Sequence, residues 1–66
     1  MDKLEKLVKQ IAFLQESYMH PETRKDARVG ILTLSKLMNP SDVRNEDEII
    51  HEFLTPKQRK SLAVTQ

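Results

Sequence analysis

The side chains best able to do chemistry lie close together: Glu46, Asp47, Glu48, His51 and Glu52. On a helix Asp47 and His51 stand one turn apart, as do Glu48 and Glu52, a spacing that puts ligand pairs on one face. That is the start of an Asp/His/Glu metal patch and no more. A credible metal site needs its full ligand set and a supporting second shell. The acids have a simpler reading. Asn45-Glu46-Asp47-Glu48 has the pattern of a capping box, with Asn45 as the cap and Glu48 three residues on. Acids in a first turn also suit the positive end of the helix dipole. The other histidine, His20, precedes Pro21 and reads as a turn residue with no ligand partner at metal-binding spacing. The chain has no cysteine, which excludes disulfides and Cys-based zinc sites. It also lacks a Gly-rich phosphate loop, a nucleophile motif and an HExxH signature. Sixty-six residues leave little room for a closed, water-excluding pocket. The expectation is a chain that is not an enzyme, with no catalytic, metal-binding or cofactor-binding residues.

Phosphate recognition is the second chemistry within reach. Arg24, Lys25, Arg28 and Lys36 gather in the middle of the chain, and Lys57, Arg59 and Lys60 near its end. Formal charge sums to zero over residues 1–19, +2 over 20–40, −4 over 41–54 and +3 over 55–66. A basic face is the expected footprint of a nucleic-acid binder, and Arg24, Lys57, Arg59 and Lys60 are the candidate phosphate contacts. Two observations weigh against it. The net charge is only +1, so no long-range field steers nucleic acid or an anionic membrane to the chain. A helix-turn-helix drawn through the second and third helices would also open its recognition helix on Glu46, Asp47 and Glu48, which repel phosphate. The plain alternative is a solvated basic face, partly neutralised by the acidic segment beside it.

The elements that must carry these residues are helices. Leu4, Leu7, Ile11, Leu14 and Tyr18 follow a 3-4-3-4 spacing, which predicts a helix over 2–19 with one apolar stripe. Val8, Ala12 and Met19 widen that stripe. Phe13 falls on the far side, among Lys6, Lys9 and Glu16. Pro21 marks the first position of a second helix over 21–39, and Asn39-Pro40 stops it. Ala27, Ile31, Leu34 and Met38 share one face, with Gly30 and Leu37 beside them. Gly30 costs about 1 kcal/mol relative to alanine in a helix, which is offset if a neighbouring helix backbone approaches closely there. Val29 and Leu32 form a second apolar face, framed by Lys25, Arg28 and Lys36. Two apolar faces predict a central helix with neighbours on both sides. Ser41–Arg44 reads as a turn, or one helical turn capped by Ser41. A third helix over 45–54 presents Ile49, Ile50, Phe53 and Leu54, extended by Val43. Thr55-Pro56-Lys57-Gln58 repeats the capping grammar and opens a last helix over 56–63, anchored by Leu62 and Val64. The final residues, Val64-Thr65-Gln66, are expected to fray.

The fold class expected is all-α: one small bundle of three to four helices, a single domain over residues 1–66. A core this small is marginal, and without disulfides or metal the remaining reinforcement is another chain. The apolar runs are too short to span a bilayer, and the polar face of the first helix mixes both signs, unlike a membrane-surface helix. No membrane association is expected. The N-terminal residues lack the apolar core of a signal peptide, so the cytoplasm is the expected location. In size and composition the chain resembles small helical regulators and assembly factors of bacteria and their phages, a likeness that no motif attaches to particular residues. The functional expectation is a small protein-interaction module or regulator that binds another macromolecule through helical surfaces. Its partner would be another protein, itself as a homodimer or larger homo-oligomer, or both. Phe13, Val29 and Leu32 are the expected anchors and Lys25, Arg28 and Lys36 the charged rim, after the general anatomy of interfaces. The alternative is a small nucleic-acid-binding protein using the basic face of the second or fourth helix.

Overall fold

Each proline opens or closes a helix. A computed structural model describes residues 2–64 and contains α1 (Asp2–Tyr18), α2 (Pro21–Met38), α3 (Glu46–Phe53) and α4 (Pro56–Val64). No strand occurs among the described residues. The fold is all-α, and its helix boundaries lie within one residue of those read from the spacing. Val64, expected to fray, is the last helical residue of α4; its anchoring side chain and the fraying of Thr65 and Gln66 lie outside the described residues.

The two tight junctions solve the same problem in the same way. The last carbonyls of a helix have no partner inside it. At the α1–α2 junction, Arg24 Nε donates to the Tyr18 carbonyl at 2.7 Å and Arg24 Nη2 to the Met19 carbonyl at 3.3 Å. Its guanidinium also lies 5.5 Å from the centre of the Tyr18 ring. Thr23 Oγ1 adds a bond to the Ser17 carbonyl at 2.6 Å. At the α3–α4 junction, Arg59 Nε donates to the His51 carbonyl at 2.6 Å and Arg59 Nη2 to that of Glu52 at 3.5 Å. Gln15 Nε2 of α1 takes the Phe53 carbonyl at 2.8 Å. Both junctions therefore read Pro-x-x-Arg, Pro21–Arg24 and Pro56–Arg59, with the arginine turned back onto the preceding helix. Removing the Arg59 guanidinium takes a partner from the exposed carbonyls of His51 and Glu52. Arg59→Ala is expected to destabilise the chain by about 0.5–1.5 kcal/mol, measured as a lower urea midpoint.

Both caps form, and the box at Thr55 closes in return, its N–H donating to Gln58 Oε1 at 3.1 Å, whereas at Asn45 the return contact is from the side-chain Nδ2 to Glu48 Oε1 at 3.3 Å. Asn45 Oδ1 accepts from the Glu48 N–H at 2.9 Å, and Thr55 Oγ1 from that of Gln58 at 3.1 Å. The segment between α2 and α3 departs from expectation. Ser41 caps no helical turn, and its hydroxyl instead pairs with Asn39 Oδ1 at 3.2 Å. Asp42 organises the loop, because its carboxylate accepts both the Arg44 N–H at 3.0 Å and the Arg44 guanidinium at 2.7 Å. Arg44 also reaches Glu52 on α3, and Lys36 Nζ donates to the Asp42 carbonyl at 3.1 Å. The Asp42 side chain is left only 6% exposed. Bonds from the Arg44 side chain first, and from its backbone N–H second, lower the Asp42 pKa to about 2. A carboxylate with a lowered folded-state pKa adds stability that is complete above its ordinary pKa, near 4, and is lost as pH falls from there toward 2. Asp42→Asn is expected to flatten the fall in urea midpoint between pH 5 and pH 2.5 relative to the parent chain.

The core lies between the middles of α1 and α2 and the two short helices. Leu14, Ile31, Ile50 and Leu54 are buried together, with Tyr18, Leu32, Leu34, Phe53 and Leu62 packed against them. Ala27 is buried as well. As expected for a central element, α2 packs on both α1 and α3. A Cβ on Gly30 would stand 2.6 Å from Leu14 Cδ2. The close neighbour of Gly30 is thus a core side chain, in place of the helix backbone expected.

Candidate interaction surface

Helix length decides which part of the hairpin is covered. The 17 residues of α1 and 18 of α2 span about 26 and 27 Å at 1.5 Å per residue. The eight of α3 and nine of α4 span about 12 and 14 Å. The short pair packs near the α1–α2 turn, against Leu14, Tyr18 and Ile31. Toward the open end the apolar stripes continue with nothing over them. Leu4 is 63% exposed, Val8 58%, Leu37 74% and Met38 52%. All four were expected in or beside the core face, and the structure leaves them exposed: the short pair packs beside Leu14, Tyr18 and Ile31, and Leu37 borders the groove where the loop crosses α2. Leu7, Ile11 and Leu34, between the two zones, are half-buried, and Ala12 is exposed.

Two shallow grooves mark this end. One, on α1, is lined by Leu4, Glu5, Val8 and Lys9. The other runs between α1 and α2, lined by Lys3, Lys6, Leu7, Gln10 and Leu34. A third groove lies where the loop crosses α2, with Leu32, Leu37, Val43 and Ile49 as its apolar members. Val43 is almost fully exposed and does not extend the apolar side of α3.

The residues expected to form an interface are not one patch. Phe13 and Val29 are exposed, each on the side of its helix turned away from the buried stripe. Leu32 is half-buried, packed against the chain's own core and sharing a groove with Ile49. Of the charged rim, Lys25 is exposed. Arg28 is held by Glu46 at 3.3 Å and Asp47 at 3.0 Å, and the Asp47 bond is the first cause of its raised pKa. Lys36 is tied to the Asp42 carbonyl. Of the candidate phosphate contacts, Arg24 and Arg59 serve as helix-end donors, while Lys57 and Lys60 are exposed. The acidic groove on α3, lined by Glu46, Asp47, Glu48, His51 and Glu52 with Arg28 and Asn45, places a cation among the acids. No group of three or more His, Asp or Glu side chains is arranged to hold a metal among the described residues. No helix there is long and apolar enough to cross a membrane.

Sequence reasoning missed two features, the open end of the hairpin and the backward-reaching arginines. A signal existed for each. The first was the mismatch between two long and two short helices, and the second the repeated Pro-x-x-Arg. No protein family, characterised protein or solved structure matches this chain.

Proposed function

We propose that this chain is a small protein-interaction module or regulator, which binds another protein through the apolar open end of the α1–α2 hairpin. The observation that carries this reading is the exposure of Leu4, Val8, Leu37 and Met38 as a continuation of the core stripes. Scattered exposed apolar residues are ordinary, but Leu4 and Val8 line one groove edged by Glu5 and Lys9, and apolar residues grouped within a polar rim mark docking surfaces. Burying one such side chain fully is worth about 1.5–3 kcal/mol, so four supply a useful part of a binding free energy.

The nucleic-acid reading has less support. Arg24, Arg28, Lys36 and Arg59 all have partners within the fold, which leaves Lys25, Lys57 and Lys60 as the members of the α2 and α4 basic clusters free for phosphate. Binding to random duplex at 50 mM salt, weakening steeply as salt rises, would favour that reading.

The test is a comparison of three tagged forms of the full chain as bait in extracts of its source cells. A protein held by the parent chain and by Phe13→Ser, and lost by Val8→Glu/Leu37→Glu, is the expected result. Identical recoveries from all three baits would overturn the proposal.

A further inference from the structure

We infer that the occupant of the open face is a second copy of this chain, docked with the two α1 helices antiparallel about a two-fold axis near Val8. The inference rests on the reading of that face as a protein interface and names its partner.

The first argument is area. The chain exposes 5317 Å². Scaling for compact monomers gives about 4,300 Å² at this mass. The excess, about 1,000 Å², matches what one side of a standard interface removes from water, about 800 Å². The radius of gyration agrees: 12.1 Å, where a compact chain of this length has about 10.8 Å.

The second argument is self-complementarity. Leu4, Val8 and Ala12 lie four residues apart on one line of α1, all exposed. A two-fold axis at Val8 sets Val8 against its own copy and lays Leu4 over the small Ala12 of the other molecule. Glu5 and Lys9 stand one turn apart along one edge of this line, bordering the same groove as Leu4 and Val8. A two-fold interface meets itself edge to edge in reverse order. Glu5 of each copy therefore comes within a helical turn of Lys9 of the other, and Lys9 comes as near its own copy, so that two opposite-charge pairs outweigh one like-charge contact and fix the orientation. The mixed signs along this edge suit a copy of the chain and do not suit an anionic lipid surface, which selects basic edges.

The experiment is sedimentation equilibrium on the full chain and four variants, with far-UV circular dichroism on each. The parent chain is expected to form dimers at micromolar concentration. Val8→Glu should remain helical and weaken the dimer by more than ~100-fold, since it buries two unpaired charges. Glu5→Lys and Lys9→Glu should each weaken it by roughly tenfold, because each breaks both symmetry-related pairs. Glu5→Lys/Lys9→Glu should restore it. These two charged residues are on the surface, so their variants remain informative even if Val8→Glu fails to fold. A parent chain that stays monomeric up to about 1 mM overturns self-docking. The interface reading would still stand in that case if Val8→Glu/Leu37→Glu loses a different protein in the bait comparison. A dimer unaffected by Val8→Glu and by both charge variants overturns the placement, and binding to anionic vesicles by the parent monomer transfers the face to lipid.

Discussion

Replacing Ile31 by alanine should leave most of the chain unfolded at 25 °C under dilute conditions. Ile31 is the fully buried side chain on which the core converges, on the helix that packs against both α1 and α3. Removing its outer carbons costs the lost transfer free energy and leaves a cavity, together about 2–5 kcal/mol. A chain of this length has roughly 3–10 kcal/mol of total stability, and small domains fall at the low end of that range. The substitution therefore consumes most of what there is. Ile31→Val removes a single methyl group and is expected to cost about 0.5–1.5 kcal/mol. Urea titrations followed at 222 nm would measure both. If Ile31→Ala shifted stability by less than about 1 kcal/mol, the core would not converge at this residue.

The second large effect is a coupling between Gly30 and Leu14. Any side chain at Gly30 collides with a terminal methyl of Leu14, 2.6 Å from the position of a Cβ. Gly30→Leu is expected to destabilise by about 1–2 kcal/mol, because overpacking exceeds the gain in helix propensity from losing the glycine. Leu14→Ala alone should cost about 2–5 kcal/mol through the cavity it leaves. The double variant exchanges the two volumes across the α1–α2 contact. It should be more stable than the sum of the single effects predicts, by at least about 1 kcal/mol, the signature of directly touching residues. Strict additivity would mean that the two helices do not meet there. Thermal unfolding of the four proteins completes the cycle.

Much of the fold was legible in the residues because the punctuation is local. Pro21, Pro40 and Pro56 act through their own ring geometry, and the caps at Asn45/Glu48 and Thr55/Gln58 close within four residues. The stripe of α1 shows its inward face through the 3.6-residue period alone. What periodicity does not carry is level along the helix axis. Leu4 and Ile11 lie about 20° apart around α1, yet Ile11 is half-buried and Leu4 is exposed, because cover depends on which neighbours reach each level of the helix. Val29 and Leu32 diverge for a related reason. Both lie opposite the main stripe in sequence, but the return of the chain through Asp42–Asn45 brings Ile49 beside Leu32 and leaves Val29 exposed. The arginines were read as a charged face because their charge is visible in sequence. The carbonyls that Arg24 and Arg59 reach belong to the preceding helix and come within range only after the turn folds.

The direct test of the central claim, that the chain meets another protein at the open end of the α1–α2 hairpin, is a methyl-resolved NMR dilution series of the purified full chain. If the second copy docks there, the methyl resonances of Leu4, Val8 and Ala12 shift together with concentration, while those of Val29 and Val43 stay fixed. Shifts confined to Val29 and Val43 would contradict the account, and so would a methyl spectrum that does not change with dilution while the bait comparison finds no protein dependent on Val8 and Leu37.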